Sequence, residues 1–400
     1  MIRLGSSNIF IFILFLFLIA CHTDVQKANA RTTNSHFRET PIKAEPMVML
    51  YDTSTNDKQD IINKLDKFYH AQVVAGFNGS VLIGYKGRII YERYFGVSNR
   101  ETRTPLTKNS SSQLASVSKT FTGAAILYLH EHKYIDIDQP VQIYIKNFPY
   151  QHITVRTLLN HRSGLPDYTK WIPLHDNDFD TPINNDTMLA MMAKYKPALE
   201  FTPNKKFRYS NTNFAVLASI IEKVTEMHYS DFMFTYIFQP LGMNHTFIYN
   251  PSTGLPNEAT QNYDRRWKRV TDMFADGVYG DKGIFSTPED MFRWDQSFYQ
   301  KKILSNETIE MAYGPCSFEK PGIKNYGLGW RMLCYANGNK VIYHNGWWHG
   351  NNTSFYRFIK DNMTIIVLGN KFSTNIYRQP PVVYSIVKGV PIQKGFDTED

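Results

Sequence analysis

A serine and a lysine three residues apart carry the groups needed for nucleophilic chemistry. The tetrapeptide Ser116-Val117-Ser118-Lys119 lies near the start of a helical pattern at residues 114–131. A serine hydroxyl is a weak nucleophile until a neighbouring base takes its proton. Residues three apart share one face of a helix, so the Lys119 amine is expected beside the Ser116 hydroxyl. The spacing is compatible with acyl transfer on Ser116, although a capped helix start with a solvated lysine has the same pattern.

Two further motifs carry groups that such chemistry uses. Tyr209-Ser210-Asn211 precedes a helical pattern; a tyrosine can move protons, and an asparagine amide both donates and accepts hydrogen bonds. His344-Asn345-Gly346-Trp347 stands at the end of a strand pattern, where a glycine lets a ligand approach the backbone closely. Read singly, the first also fits a helix cap and the second a turn with an exposed histidine.

The elements that must position these motifs predict an α+β fold. Alternating apolar and polar residues at 79–85 and 88–94 predict a β-hairpin. We expect an antiparallel sheet built from both chain ends (about 58–110 and 304–400), flanked by helices, with a mainly helical lobe inserted at about 111–303. The predicted helices are 114–131, 154–160, 186–194, 213–225, 229–238 and 375–387, and the predicted later strands are 340–344, 353–359 and 364–368.

The N-terminal residues predict export. An apolar run at 9–20 follows Arg3; it is too short to span a bilayer and matches the apolar core of a secretory signal. Leu18-Ile19-Ala20-Cys21 resembles a bacterial lipobox. We therefore expect residues 1–20 to be a lipoprotein signal peptide, Cys21 to carry the lipid that anchors the protein to the membrane of the cell envelope, residues 21–57 to be a flexible tether and residues 58–400 to be the folded domain. An uncleaved anchor and an ordinary signal peptide are the alternatives.

Composition argues against several other function classes. The net charge of +8 is spread along the chain, and its densest basic cluster, residues 265–269, is interpreted as a solvated loop, so no nucleic-acid partner is expected. His130 and His132 would point to different helix faces, which is poor metal-ligand geometry. No metal or cofactor is therefore expected. Cys316 and Cys334 either pair or remain free thiols.

In this order, Ser-x-x-Lys, Tyr-x-Asn and His-x-Gly resemble the motifs of the penicillin-recognising serine hydrolases. The resemblance is to the branch that contains class C β-lactamases, D-Ala-D-Ala carboxypeptidases and related esterases, and it covers roughly residues 76–368. Supporting stretches are Thr157-Leu158-Leu159-Asn160-His161-Arg162-Ser163-Gly164-Leu165-Pro166-Asp167-Tyr168, Pro240-Leu241-Gly242-Met243, Ser286-Thr287-Pro288-Glu289-Asp290 and Tyr326-Gly327-Leu328-Gly329-Trp330.

The resemblance implies a role for each residue of the first two motifs. Ser116 would attack a carbonyl carbon and carry the acyl group. Lys119 would lie beside it as the base or as an electrostatic aid, and Tyr209 is the other candidate for taking the serine proton. Asn211 would hold Lys119 or the substrate amide in place. His161 and Asp167 are interpreted as residues that fix loops.

For the third motif, the resemblance implies substrate contacts. The backbone N–H groups of Ser116 and Trp347 would form an oxyanion hole. His344 would face the substrate carboxylate or the Tyr209 oxygen, and near neutral pH it would be only partly charged. Asn345 stands where relatives carry a Thr or Ser that helps to bind the substrate carboxylate, Gly346 belongs to the same motif, and the two tryptophans 347 and 348 would make this rim bulky.

These departures favour a peptidase or esterase over a dedicated β-lactamase. The expected function is a serine hydrolase that forms an acyl-enzyme on Ser116. It would cleave amide or ester bonds in a small-molecule or peptide substrate: D-amino-acid peptides, peptidoglycan fragments, β-lactams or small esters. The alternative is a catalytically silent lipoprotein of the same fold that binds cell-wall peptides.

Overall fold

A seven-stranded antiparallel sheet, with strands from both chain ends, forms the centre of the fold. The computed structural model describes residues 37–43, 47, 49–52, 56–176 and 178–392. The strand order in the sheet is β2-β1-β12-β11-β10-β9-β8, so the first hairpin pairs with the last strand. The strands are β1 (Gly79–Tyr85), β2 (Arg88–Phe95), β3 (Val97–Asn99), β4 (Thr104–Pro105), β5 (Ser112–Gln113), β6 (Phe247–Ile248), β7 (Ile284–Ser286), β8 (Lys324–Tyr326), β9 (Arg331–Cys334), β10 (Lys340–Trp348), β11 (Asn351–Phe358) and β12 (Met363–Gly369).

The inserted segment is mainly helical, which confirms the predicted α+β architecture. The predicted helix 213–225 begins two residues earlier, at Asn211, and the predicted helix 229–238 is a short α-helix followed by a π-helical turn, Phe234–Phe238. The helices are α1 (Asn56–Val74), α2 (Ser118–Glu131), α3 (Val155–Leu159), α4 (Tyr168–His175), α5 (Asn185–Tyr195), α6 (Asn211–Thr225), α7 (Tyr229–Met233), α8 (Pro288–Tyr299), α9 (Asn306–Ala312) and α10 (Gln379–Lys388).

The outer face of the sheet is covered by α1 and α10. Leu65 and Tyr69 of α1 and Val383 of α10 are fully buried with strand residues such as Val81 and Ile365. The packing of α10 agrees with the prediction of a terminal helix on the sheet. Helix α1 was not predicted, although the apolar spacing of Leu65 and Tyr69, four apart, is a helical signal.

The inner face of the sheet packs on the helical lobe. Leu82, Ile342 and Ile366 point from three strands into a core that also contains Phe121 of α2 and Trp294 of α8. The last two rings stack with centroids 4.2 Å apart. Because α2 is buried along nearly its whole length, the residues at its start are held firmly against the sheet.

Part of the predicted tether packs against the helical lobe. The Phe37 ring lies 4.9 Å from that of Tyr134 and 5.0 Å from that of Tyr236, whose hydroxyl donates to the Glu39 carbonyl oxygen at 2.8 Å. The predicted signal peptide and Cys21 lie outside the described residues. Within the described part, no helix has both the length and the apolar character needed to cross a membrane.

The two downstream cysteines are free thiols. Cys316 and Cys334 are each partly buried and form no disulfide. Burial raises the pKa of both thiols above the usual value, which disfavours the reactive thiolate. Of the two alternatives left open by the sequence, the structure therefore has the free thiols.

A buried ion pair joins β11 to α8. The Arg357 guanidinium donates from Nε to Asp295 Oδ1 at 2.6 Å and also to the hydroxyl of Tyr313. At most 1% of either charged side chain is exposed, and the guanidinium carbon lies 4.6 Å from the centroid of the Phe298 ring. Removal of one partner would leave the other charge buried without compensation.

We expect Arg357→Met to lower the free energy of unfolding by about 3–5 kcal/mol, measured by urea denaturation, because Asp295 would stay buried and unpaired. The double variant Arg357→Met/Asp295→Leu should lose less. As a control, Lys64→Ala breaks the exposed Asp60–Lys64 pair of α1 and should cost about 0.5 kcal/mol or less. If Arg357→Met and Lys64→Ala lowered the free energy of unfolding equally, burial would not distinguish the Arg357–Asp295 pair from an exposed one, contrary to this account.

Candidate active site

Ser116 lies in a short 3₁₀ turn, Ala115–Val117, that leads directly into α2. The preceding residue, Ala115, has φ of 49°, a left-handed conformation that costs energy for a residue with a Cβ. The turn is held from the sheet, since Thr353 Oγ1 donates to the Leu114 carbonyl oxygen at 2.8 Å. Strain and tethering together keep the half-buried Ser116 hydroxyl in one position.

The Lys119 ammonium makes three hydrogen bonds at the start of α2. Its Nζ lies 3.0 Å from Ser116 Oγ, 2.8 Å from Asn211 Oδ1 and 2.7 Å from the carbonyl oxygen of Asp281. The side chain is fully buried. The predicted contact between Ser116 and Lys119 is therefore present, and Asn211 is the residue that holds the lysine.

Two of the three hydrogen-bond partners of Lys119 can act only as acceptors, and this determines what its nitrogen can do. The amide oxygen of Asn211 and the carbonyl oxygen of Asp281 have no proton to give, so each must receive an N–H. A neutral amine has two N–H bonds and one lone pair. With both N–H bonds used, the lone pair is left to face the Ser116 hydroxyl, and it can accept the hydroxyl proton.

The surroundings of Lys119 bring its neutral form within reach. Burial lowers the pKa of its amine to about 8, and the positive charge of Arg331 adds to this effect. The carboxylates of Asp281 and Asp167 act in the opposite direction and keep the pKa from falling further. A lysine with a pKa close to neutral can act as a base at physiological pH.

Asn211 is placed by the start of α6, not by the preceding loop as the sequence suggested. Its backbone N–H donates to Asp167 Oδ2 at 3.0 Å, and Asp167 Oδ1 accepts from the Thr169 N–H at 3.1 Å at the start of α4. One carboxylate thus joins the N-termini of two helices, where negative charge is favourable. This contact agrees with the interpretation of Asp167 as a loop-fixing residue.

A second buried lysine stands behind Lys119. Lys282 Nζ donates to the Tyr168 hydroxyl at 2.6 Å, and that hydroxyl donates to Asp281 Oδ2 at 3.2 Å. Asp281 and Lys282 form an ion pair at 3.7 Å with both side chains buried. Sequence reasoning missed both residues, because the contact of Asp281 with Lys119 uses a backbone carbonyl 162 positions away, which any residue type can supply.

Tyr209 lies beside Lys119 and between two cations. Its ring centroid is 5.0 Å from Lys119 Nζ and 5.1 Å from the guanidinium carbon of Arg331. Both cations lie within the range of a cation–π contact with the ring. Arg331, the first residue of β9, was also missed by sequence reasoning, although it directly follows the family-like stretch 326–330.

A neutral hydrogen-bond chain lies next to Tyr209, whose ring is 4.3 Å from that of His161. His161 Nδ1 accepts from Asn213 Nδ2 at 2.9 Å, so its proton is on Nε2, which lies 3.2 Å from the Tyr326 hydroxyl oxygen. That hydroxyl lies 3.3 Å from Nε2 of His344, and the His344 Nδ1–H donates to the Asn345 carbonyl oxygen at 2.7 Å. Both imidazoles are then neutral, with one consistent direction of donation.

The position of His344 corrects the expectations that it faces a substrate carboxylate and that it is partly charged near neutral pH. The alternative, that it faces the Tyr209 oxygen, stays a prediction. The side chain is fully buried and contacts Tyr326, so it faces neither an open carboxylate site nor the solvent. Burial lowers the pKa of His344 well below its usual value, and the charges of Arg331 and Lys119 contribute in the same direction. His344 is therefore neutral near pH 7 and is part of the hydrogen-bond chain next to Tyr209.

The pleat of β10 corrects the expectation that Asn345 contacts substrate. A Cβ on Gly346 would lie 2.3 Å from the Leu114 carbonyl oxygen, so Gly346 faces the nucleophile turn and allows β10 to approach it. Its neighbours in the strand must point to the other face. The Asn345 side chain is buried there and accepts from Ser354 Oγ at 3.0 Å, while 60% of Trp347 is exposed.

The tryptophan at the rim of the site is Trp348 alone. Two positions beyond Gly346, it lies on the same face of β10. Its Nε1 donates to Asp276 Oδ1 at 2.6 Å, and Lys282 Nζ lies 4.9 Å from its ring centroid. The expected oxyanion donors, the backbone N–H groups of Ser116 and Trp347, remain a prediction.

One cluster in the described part of the chain has the residue types of a metal site. Asp272, Asp276 and His349 place one ligand atom each within 4.8 Å of one another. Their atoms already have partners: His349 Nε2 lies 2.8 Å from Asp276 Oδ2, and Asp272 accepts from the Tyr249 hydroxyl at 2.5 Å. The cluster is explained as a hydrogen-bonded group that holds Trp348 through Asp276.

Comparison with known proteins agrees with this geometry. A family model described as Beta-lactamase matches residues 65–380. Penicillin-binding protein 4* of Bacillus subtilis (strain 168) is 34% identical over 319 residues, which cover 76% of this chain and 70% of that protein. A D-aminopeptidase of Brucella anthropi is 26% identical over 277 residues, which cover 68% of this chain and 52% of that enzyme.

A solved structure shows the same fold. The octameric penicillin-binding protein homologue from Pyrococcus abyssi superposes with a TM-score of 0.73 at 23% identity, covering 83% of this chain and 78% of that one. The chain spans about half the length of the Brucella enzyme but most of the Bacillus and Pyrococcus proteins. With the family model matched over most of its folded body, this chain belongs to the beta-lactamase family and is a serine hydrolase.

Proposed function

We propose that this protein hydrolyses amide or ester bonds through an acyl-enzyme on Ser116, with Lys119 as the base that takes the serine proton. The observation that carries the proposal is the set of three contacts at Lys119 Nζ, two of which go to oxygens that can only accept. Because these two oxygens take N–H bonds, the remaining hydrogen-bonding site on Lys119 Nζ faces Ser116 Oγ, 3.0 Å away. A catalytically silent binding protein has no need of this alignment.

Acylation moves one proton and exchanges one bond. As the Lys119 amine takes the hydroxyl proton, Ser116 Oγ bonds to the substrate carbonyl carbon. The carbonyl oxygen carries negative charge in the tetrahedral intermediate, and the backbone N–H groups of Ser116 and Trp347 are the proposed donors to it. The bond from carbon to the leaving nitrogen or oxygen then breaks, and the leaving group receives a proton from Tyr209, which Lys119 re-protonates.

Deacylation reverses these roles with water. A water molecule gives a proton to the neutral Lys119 amine and bonds to the acyl carbon. The bond between this carbon and Ser116 Oγ then breaks, and Ser116 regains its proton from Lys119. No further reactant is consumed. After one cycle, Ser116, Lys119 and Tyr209 have regained their starting protonation states, and one water molecule has been added across the cleaved bond.

The proposed substrates are D-amino-acid peptides, peptidoglycan fragments, β-lactams and small esters. The B. anthropi relative is a D-aminopeptidase, which supports an amide bond next to a D-residue. We also propose that the protein is exported and attached to the membrane of the cell envelope through a lipid on Cys21, on the basis of the lipobox-like residues 18–21. An anchored enzyme would meet peptides of the cell wall.

Covalent labelling tests the nucleophile directly. We expect one fluorophosphonate-derived group to bind covalently to Ser116, detected as a mass increase of the protein, and to abolish turnover of a p-nitrophenyl ester. The Ser116→Ala variant should lose labelling and reduce ester turnover by at least about a thousandfold. Ser118→Ala, which removes the neighbouring hydroxyl, is the matched control for the labelled position. Equal turnover by the wild type and Ser116→Ala would refute the proposed function.

The pH profile tests the base. Because Lys119 must be neutral to accept a proton, kcat/KM should rise through the pKa of its amine, about 8. The Asp281 carboxylate stabilises the ammonium form, so Asp281→Asn should lower the pKa and move the acid limb to lower pH. The exposed Asp60→Asn variant is the control and should leave the limb in place. An acid limb that does not move in Asp281→Asn, or moves upward, would contradict the role of this charge.

A further inference from the structure

A cavity of about 740 Å³ has Tyr209 in its lining. Tyr209 and Arg331 form part of its wall, and the rest comes from residues 206–208, 317, 319–326 and 343. This volume is within the usual range of pockets for drug-sized ligands. A leaving group that contacts Tyr209 would therefore adjoin this cavity.

The charges around the cavity are predominantly positive. Five cationic side chains line it: Lys206, Arg208, Lys320, Lys324 and Arg331. The single acidic residue in the lining, Glu319, forms an ion pair with Arg162, and Arg208 pairs with Glu200 outside the lining. With five cations and one carboxylate, the lining carries a formal charge of +4.

The segment 317–325, which carries Lys320 and Lys324, is fixed by hydrogen bonds at its ends. Asn325 Oδ1 accepts from the backbone N–H groups of Cys316 at 2.9 Å and Ser317 at 2.8 Å. Arg162 Nη1 donates to the Cys316 carbonyl oxygen at 2.9 Å. The ends of the loop are thus fixed to the strand that carries Tyr326 and to the segment that carries His161.

The proposed mechanism assigns a direction to this cavity. If Tyr209 gives its proton to the leaving group, the leaving group must lie at the Tyr209 hydroxyl. The atoms beyond it then enter the cavity that Tyr209 lines. The acyl part of the substrate, bound to Ser116, stays on the other side of the scissile bond.

We propose that the cavity binds a leaving group that carries two or more negative charges, as a phosphate or as paired carboxylates. The proposal rests on the proposed function and adds the substrate class. Arg331 would contact an anionic oxygen close to the scissile bond, and Lys206, Lys320 and Lys324 would contact charge farther out. The motif at 344–347 led us to expect weak recognition of carboxylates, and this cavity supplies the cations from different elements.

Four aryl esters with one acyl group and different leaving phenols test the proposal. The phenols carry no charge, one carboxylate, two carboxylates or a phosphate, and the readout is kcat/KM relative to the neutral ester. At low salt we expect the two multiply charged esters to exceed the neutral one by about three- to tenfold. This advantage should shrink as NaCl screens the charges. A preference for the phosphate or for the dicarboxylate tells which anion the site takes.

Charge removal assigns the effect to the cavity. The double variant Lys320→Gln/Lys324→Gln should reduce the advantage of the multiply charged esters by at least about half. Lys67→Gln/Lys301→Gln removes the same net charge from exposed positions outside the cavity lining and should keep it. Turnover of the neutral ester without any preference for charge would overturn this inference while leaving the proposed function intact. Loss of all ester turnover in the wild type would refute the proposed function instead.

Discussion

The site depends on the hydrogen bonds of one buried nitrogen, Lys119 Nζ. Lys119 Nζ has three neighbours, and the oxygens of Asn211 and Asp281 can only accept. In the interior, a polar group without a partner is costly, so both oxygens keep their N–H bonds in either protonation state of the lysine. The remaining position of the nitrogen is then reserved for Ser116. Changes of protonation are confined to the contact that performs the chemistry.

The rest of the fold can be understood as the support of this contact. The sheet brings β10 against the nucleophile turn because Gly346 has no side chain. The buried helix α2 carries Lys119, and Asp167 joins the start of α6, with Asn211, to the start of α4. Asp281 and Lys282 add a nearly neutral charge pair behind the lysine. The Asp281 carboxylate, with that of Asp167, offsets part of the effect of burial, which lowers the pKa of the Lys119 amine.

The sequence predicted the parts of the site that local spacing determines. Ser116 and Lys119 are three apart on one turn, and the hairpin and most helices follow from hydrophobic periodicity. The face of each β10 residue was also readable, since alternation places Asn345 opposite to Gly346, but we had assigned Asn345 to the substrate. Asp281 could not be predicted, because a backbone carbonyl has no residue signature. The neutral state of His344 depends on burial, which only the assembled fold determines.

The protonation of Lys119 is the central claim, and ¹⁵N NMR of the lysine side-chain nitrogens measures it without any substrate. The Lys119→Arg variant identifies the resonance by its absence. We predict a titration midpoint of about 8 for Lys119 Nζ, well below the value near 10.4 that exposed lysines have. A midpoint at or above 10, as in an exposed lysine, would leave a far smaller neutral fraction at pH 7 than the predicted midpoint does and would contradict the assignment of Lys119 as the base.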